Sequence, residues 1–125
     1  MSKIELCNVN FKYSKGTPFE MVALDDVNVS FEKGKITGLI GHTGSGKSTI
    51  LNLIPRFYDV DDGAVFLDGY DVRQMDFASI YSKIGYIPQQ AFLFSGTIAD
   101  NLRWGDPNAT IDDMKEACYI ACADE

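Results

Sequence analysis

The sequence predicts an α/β fold, and three observations predict it. Residues 41–48 read Gly41-His42-Thr43-Gly44-Ser45-Gly46-Lys47-Ser48, a complete G-x-x-x-x-G-K-[ST] phosphate-binding loop. Ile36-Thr37-Gly38-Leu39-Ile40 leads in as a short apolar, strand-like run, and Ser48-Thr49-Ile50-Leu51-Asn52-Leu53-Ile54 leads out as a helix. Strand, glycine-rich turn and helix is the geometry that this motif needs. Upstream, Val27, Val29 and Phe31 alternate with Asn28, Ser30 and Glu32, the pattern of a half-buried antiparallel strand.

The remaining elements follow in chain order. Residues 4–13 read as a strand with a change of parity. Ile4 and Leu6 share one face, and Val9, Phe11 and Tyr13 share one in the opposite register, which predicts a bulge near Cys7-Asn8. Ser14-Lys15-Gly16-Thr17-Pro18 is a turn, and Glu32-Lys33-Gly34-Lys35 turns the chain into the run at 36–40. Pro55 ends the helix after the loop. Ala64-Val65-Phe66-Leu67, Asp68-Gly69 and Tyr70-Asp71-Val72 form a hairpin with a tight Asp-Gly turn. Asp76 caps a short helix through Ile80-Tyr81, and Ile84-Gly85-Tyr86-Ile87 is a further strand, broken by Pro88. Two helices follow, a short one from Thr97 through Leu102 and a second after Thr110 with Ile111, Met114, Cys118 and Ala121 on one stripe. That last helix runs to Ala123-Asp124-Glu125 without a Gly, Asn or Pro stop, so the chain end reads as a boundary inside an element.

The loop carries the chemistry. Its glycines let backbone N–H groups converge on phosphate oxygens, and the following helix adds its N-terminal partial positive charge. Lys47 reaches the β/γ-phosphates of a nucleoside triphosphate, and the Ser48 hydroxyl is a ligand for Mg²⁺. Composition narrows the partners. Residues 1–58 carry seven Lys/Arg against five Asp/Glu, whereas residues 59–125 carry four against thirteen. An acidic C-terminal half argues against nucleic acid, whose phosphate backbone demands a basic face. No apolar run is long enough to span a bilayer. Cys7, Cys118 and Cys122 show neither C-x-x-C spacing nor a neighbouring His cluster, so reduced thiols are expected and not a metal site.

Hydrolysis needs more than the loop: an acidic residue for Mg²⁺ at a strand end, and a group that positions water. Val22-Ala23-Leu24-Asp25 precedes the loop and leads into the antiparallel strand. Asp68 follows an apolar run, but Gly69 comes next and the chain reverses, so Asp68 is read as a turn residue.

Over nearly its whole length the chain resembles the N-terminal part of the nucleotide-binding domain of an ATP-binding-cassette (ABC) transporter, exporter type. Beside residues 41–49, the resemblance rests on Phe11-Lys12-Tyr13, on Asp62-Gly63-Ala64-Val65-Phe66-Leu67-Asp68-Gly69, and on residues 84–102, where Pro88-Gln89-Gln90 resembles the family's Q-loop. It implies a P-loop NTPase fold, a RecA-like core with an antiparallel β subdomain, with the C-terminal part of the domain absent. Residues 1–90 would hold the β part and the core, and 91–125 the start of a helical subdomain.

The resemblance also implies site residues. Tyr13 matches the aromatic side chain that stacks on adenine. The nucleotide set becomes Tyr13, Gly41, His42, Thr43, Gly44, Ser45, Gly46, Lys47, Ser48 and Thr49, with ATP and Mg²⁺ as cofactors. Gln89 matches the glutamine that approaches Mg²⁺ and the attacking water, which makes Lys47 and Gln89 the catalytic positions and Ser48 and Gln89 the metal positions. The family's signature motif, its catalytic glutamate and its switch histidine fall beyond residue 125; His42 is not that histidine. The implied function is ATP binding and hydrolysis coupled to export. The implied partners are transmembrane domains and a second nucleotide-binding domain, at the cytoplasmic side of the plasma membrane, with the 125-residue chain itself soluble and inactive alone. Asn101-Leu102-Arg103-Trp104-Gly105 resembles a run in one subunit of heterodimeric exporters, and homodimer or heterodimer stays open. Two alternatives stand beside this one. A small P-loop kinase would have an Arg-rich lid, but Arg56, Arg73 and Arg103 are scattered. A non-catalytic nucleotide-binding module needs only the loop.

Overall fold

Alternation along the first segments is resolved by pairing them. The computed structural model describes residues 3–123. In it, β1 (Lys3–Tyr13) and β2 (Met21–Glu32) pair antiparallel, and β3 (Asp62–Leu67) and β4 (Tyr70–Asp71) extend the sheet in the order β2-β1-β3-β4. The parity change in β1 is a bulge. Leu6 pairs with Val29 and Val9 with Val27, the register shifts between them, and Asn8 takes φ 49°. One extra residue on one strand lets Leu6 and Val9, three apart, both turn into the core, where they are buried. At the β3–β4 turn, Asp68 (φ 55°) and Gly69 (φ 84°) are both left-handed, as a two-residue type I′ turn requires. Asp68 also accepts the Lys3 N–H at 3.1 Å and the Lys83 ammonium at 2.7 Å, which fits its reading as a turn residue.

The helix after the loop, α1 (Lys47–Leu53), buries Thr49, Ile50 and Leu53. Ile50 and Leu53 join Leu6, Val9, Phe11, Leu24, Val65 and Leu67 in one apolar cluster. Full burial of a side chain such as Leu53 is worth about 1.5–3 kcal/mol. The end of α1 closes as a Schellman motif. Arg56 sits at φ 58°, Phe57 N–H donates to Asn52 O at 3.0 Å and Arg56 N–H to Leu53 O at 3.1 Å. Pro55, without an N–H, fits inside that turn and is fully buried. Asp76 caps α2 (Phe77–Tyr81) by accepting the Ser79 N–H at 2.8 Å.

The contacts separate the chain into two units, Met1–Tyr86 and Ile87–Glu125. In the second, α3 (Ile98–Leu102) and α4 (Ile111–Ile120) each begin with a complete capping box, Thr97 with Asp100 and Thr110 with Asp113. No helix among the described residues is long and apolar enough to cross a membrane.

Four expectations need correction. Residues 36–40 form no strand; Ile36 and Ile40 are fully exposed. Residues 84–87 form none either, and Ile87 is 94% exposed. A strand exists only through ladder bonds to a partner, and among the described residues no segment pairs with either run. All observed pairing is antiparallel. The stripe on α4 is narrower than its spacing suggests: Met114 is buried and Cys118 half-buried, while Ile111 and Ala121 are exposed. The partner helix α3 has five residues and is too short to cover the whole face. Last, α4 ends at Ile120, short of the expected Ala123, and Asp124 and Glu125 lie outside the described residues. Ala123 N–H donates to Cys118 O at 2.8 Å and Cys122 N–H to Tyr119 O at 3.1 Å, with Cys122 at φ 53°. This is a second Schellman motif, invisible in the sequence because Cys holds the position that Gly or Asn usually marks.

Candidate functional site

The loop between β2 and α1 is positioned from its C-terminal end. Gly46 is the N-cap of α1 at φ 86°, and a Cβ there would lie 2.8 Å from both the Ala23 carbonyl oxygen and Leu24 Cδ2 of β2. Only glycine permits that close approach in that backbone conformation. The loop is thereby seated against the buried part of β2 at its end, while residues 41–45 stay exposed.

Lys47 turns back over its own loop. Its ammonium donates to Gly41 O at 2.6 Å, His42 O at 2.7 Å and Ser45 Oγ at 2.9 Å. Ser45 N–H also donates to His42 O at 3.3 Å, and the His42 ring Nδ1 lies 2.8 Å from Thr43 O. The N–H groups of Lys47, Ser48 and Thr49 belong to the first turn of α1, where helix geometry offers no acceptor, and no side chain caps them. The Ser48 hydroxyl is exposed beside them. Uncapped first-turn donors, a half-buried ammonium on a curled loop and an adjacent exposed hydroxyl form a donor set that fits a polyphosphate with a hard cation.

Tyr13, at the end of β1, is brought to this helix. Its hydroxyl lies 3.1 Å from Thr49 Oγ1, and its ring packs edge-on to Phe11 (4.9 Å between centroids) and Tyr58 (6.0 Å). The neighbouring backbone is fixed by Asp61, which accepts the Lys12 N–H at 2.8 Å and the Lys15 ammonium at 2.9 Å. Lys15 foremost, and then the Lys12 N–H, hold the Asp61 carboxyl below its usual range. Sequence reasoning missed Tyr58 altogether. It follows the Schellman turn that ends α1, and nothing in the local pattern signals that this turn returns an aromatic side chain to β1. The structure thus brings Tyr13, residues 41–49 and Tyr58 into one unit. Gln89 stands exposed in an irregular stretch of the second unit. The run 84–86 is tied to α1 by its side chains, since Tyr86 Oη donates to Asn52 Oδ1 at 3.2 Å and packs edge-on to Phe57.

Comparison with known proteins agrees with the geometry. A family model described as ABC transporter matches residues 24–123. The ABC transporter aclQ of Aspergillus oryzae is 44% identical over 119 residues, 95% of this chain and 14% of its own length. ABC transporter B family member 4 of Dictyostelium discoideum is 40% identical over 121 residues, 97% of this chain and 16% of its own length. A putative multidrug export ATP-binding/permease protein of Staphylococcus aureus is 39% identical, over 97% of this chain and 20% of its own length. The chain therefore spans between 14% and 20% of the length of these relatives.

Proposed function

The chain belongs to the ABC transporter family, and from that premise we propose that it is the ATP-binding part of an exporter ATPase, acting within a longer protein that also carries transmembrane domains. Residues 1–90 would contribute the β part and the phosphate loop, and residues 91–125 the start of a helical subdomain. The observation that carries this reading is the Lys47 cradle, where a cation, uncapped first-turn N–H groups and a free-standing hydroxyl converge on one loop.

In this reading Lys47 exchanges its two carbonyl partners for β/γ-phosphate oxygens, which are stronger acceptors because they carry charge. Residues 43–49 would donate backbone N–H groups to the phosphates, and Ser48 would be a ligand for Mg²⁺, with Gln89 the metal position proposed in the second unit. When bound, Mg²⁺ neutralises charge on the phosphates. Tyr13 offers the base an aromatic face. Gln89, near the start of the second unit, would orient water and transmit the state of the site to the membrane domains. A second nucleotide-binding domain is the proposed dimer partner, and the acidic Mg²⁺ ligand and catalytic base would come from outside these elements, since Asp68, the tempting carboxylate after the loop, is engaged at the β3–β4 turn.

The test is Lys47→Ala in the intact transporter. Loss of a charge-assisted contact to phosphate should weaken Mg-ATP binding by about tenfold or more. Equal affinity of variant and parent by calorimetry removes the reading.

A further inference from the structure

Thr49 is the one buried polar side chain among the described residues, 5% exposed. A buried hydroxyl requires a hydrogen-bond partner, and its partner is the Tyr13 hydroxyl, 3.1 Å away. The two groups come from elements 36 residues apart in sequence. Resting on the nucleotide reading above, we propose that Thr49 is a positioning residue for the Tyr13 platform, and that this hydroxyl pair couples base stacking to the state of the phosphate loop.

The physical argument has three parts. Phe11 and Tyr58 restrain the Tyr13 ring by edge-on contacts, which leave rotation of the ring as a whole about β1 weakly opposed. A directional hydrogen bond at the far end of the ring fixes that orientation. Its other end lies two residues after Lys47 in α1, where the β-branched Thr side chain has few rotamers. A displacement of the first turn of α1 is therefore transmitted to the ring, and the converse holds by linkage. A Ser at position 49 would preserve the bond; a Val would preserve the shape without it.

The experiment measures binding of two probes to the intact protein by calorimetry: Mg-ATP, and Mg-tripolyphosphate, which has no base. Thr49→Val and Tyr13→Phe should each weaken Mg-ATP about three- to tenfold. The double variant should be no weaker than either single, because both remove the same bond. Tripolyphosphate affinity should fall by less than Mg-ATP affinity in each variant, which separates a loss through the base from a loss at the loop, and Thr49→Ser should restore Mg-ATP binding. Additive losses in the double variant overturn the proposal. So does a Thr49→Val loss that is equal for the two probes, since Thr49 would then act on the phosphates and not through Tyr13. Unchanged Mg-ATP affinity in Tyr13→Ala removes the platform itself, and Lys47→Ala, read on tripolyphosphate, tests the phosphate loop separately.

Discussion

The three oxygen partners of Lys47 explain how a half-buried ammonium is kept in place on an exposed loop. Two are backbone carbonyls of the loop itself, so the cation and the loop shape stabilise one another. Tyr13 is held differently, by edge-on aromatic contacts and one hydroxyl, and in the proposed role a ring face is what it offers the base. Stacking on such a face is worth about 1–3 kcal/mol and tolerates any base. Tyr13→Ala is therefore expected to lose affinity for ATP and GTP together, while Tyr13→Trp, which keeps a ring face but lacks the hydroxyl, should lose less of both; fluorescence titration with the two nucleotides separates this from a base-selective role. Gln89 belongs to the second unit and is exposed there, and its proposed part is in coupling. In the intact transporter, Gln89→Ala should leave ATP binding near the parent value and lower transport-linked turnover. Parent-level transport in that variant counts against the assignment.

At the scale of elements, helix ends are where this chain is most explicit. Thr97 and Thr110 hold the carboxyls of Asp100 and Asp113 below their usual range, by side-chain and then backbone hydrogen bonds. A carboxylate whose folded pKa is depressed contributes stability in full above its unfolded value, about 3.9, and loses it as pH falls through the folded value. Far-UV circular dichroism should therefore show α3 and α4 losing helicity only below about pH 4. Asp100→Asn with Asp113→Asn should flatten that acid slope. A slope unchanged by the double substitution places the acid sensitivity elsewhere. Thr110→Ala, which removes a cap, should cost about 1 kcal/mol at neutral pH. The Asp76 cap, the Asp68-Gly69 turn and the bulge near Asn8 were legible in the sequence, because each depends on residues close together along the chain; the helices after Thr97 and Thr110 were legible too, but not their capping boxes. The stop of α4 at Cys122 was not. A left-handed non-glycine cap leaves no compositional mark.

For the whole molecule, the apolar runs that find no partner are decisive. Ile36, Ile40 and Ile87 stand exposed with their backbone outside any ladder. Open apolar edges pair with whatever arrives, and the residues that complete the chemistry of phosphoryl transfer are not in evidence among these elements. The 125-residue chain alone is expected to self-associate or to exchange elements, and to show no steady ATP turnover. Sedimentation and phosphate-release assays check both. A monomer with sharp cooperative unfolding and sustained turnover contradicts the two expectations together.

The phosphate loop, the resemblance to the family, the antiparallel pattern, the Asp76 cap and the local turns are legible in the residues alone. Each is written in residue types at short spacing, where sterics and hydrogen bonding act within a few residues. Long-range packing settles which apolar runs become strands, that Tyr58 and Tyr13 share a cluster, and that Thr49 is buried against the Tyr13 hydroxyl. Those outcomes depend on partners distant in the chain. An apolar run carries the capacity to pair, but the ladder forms only where a second strand lies alongside, and residues 36–40 and 84–87 have none among the described residues.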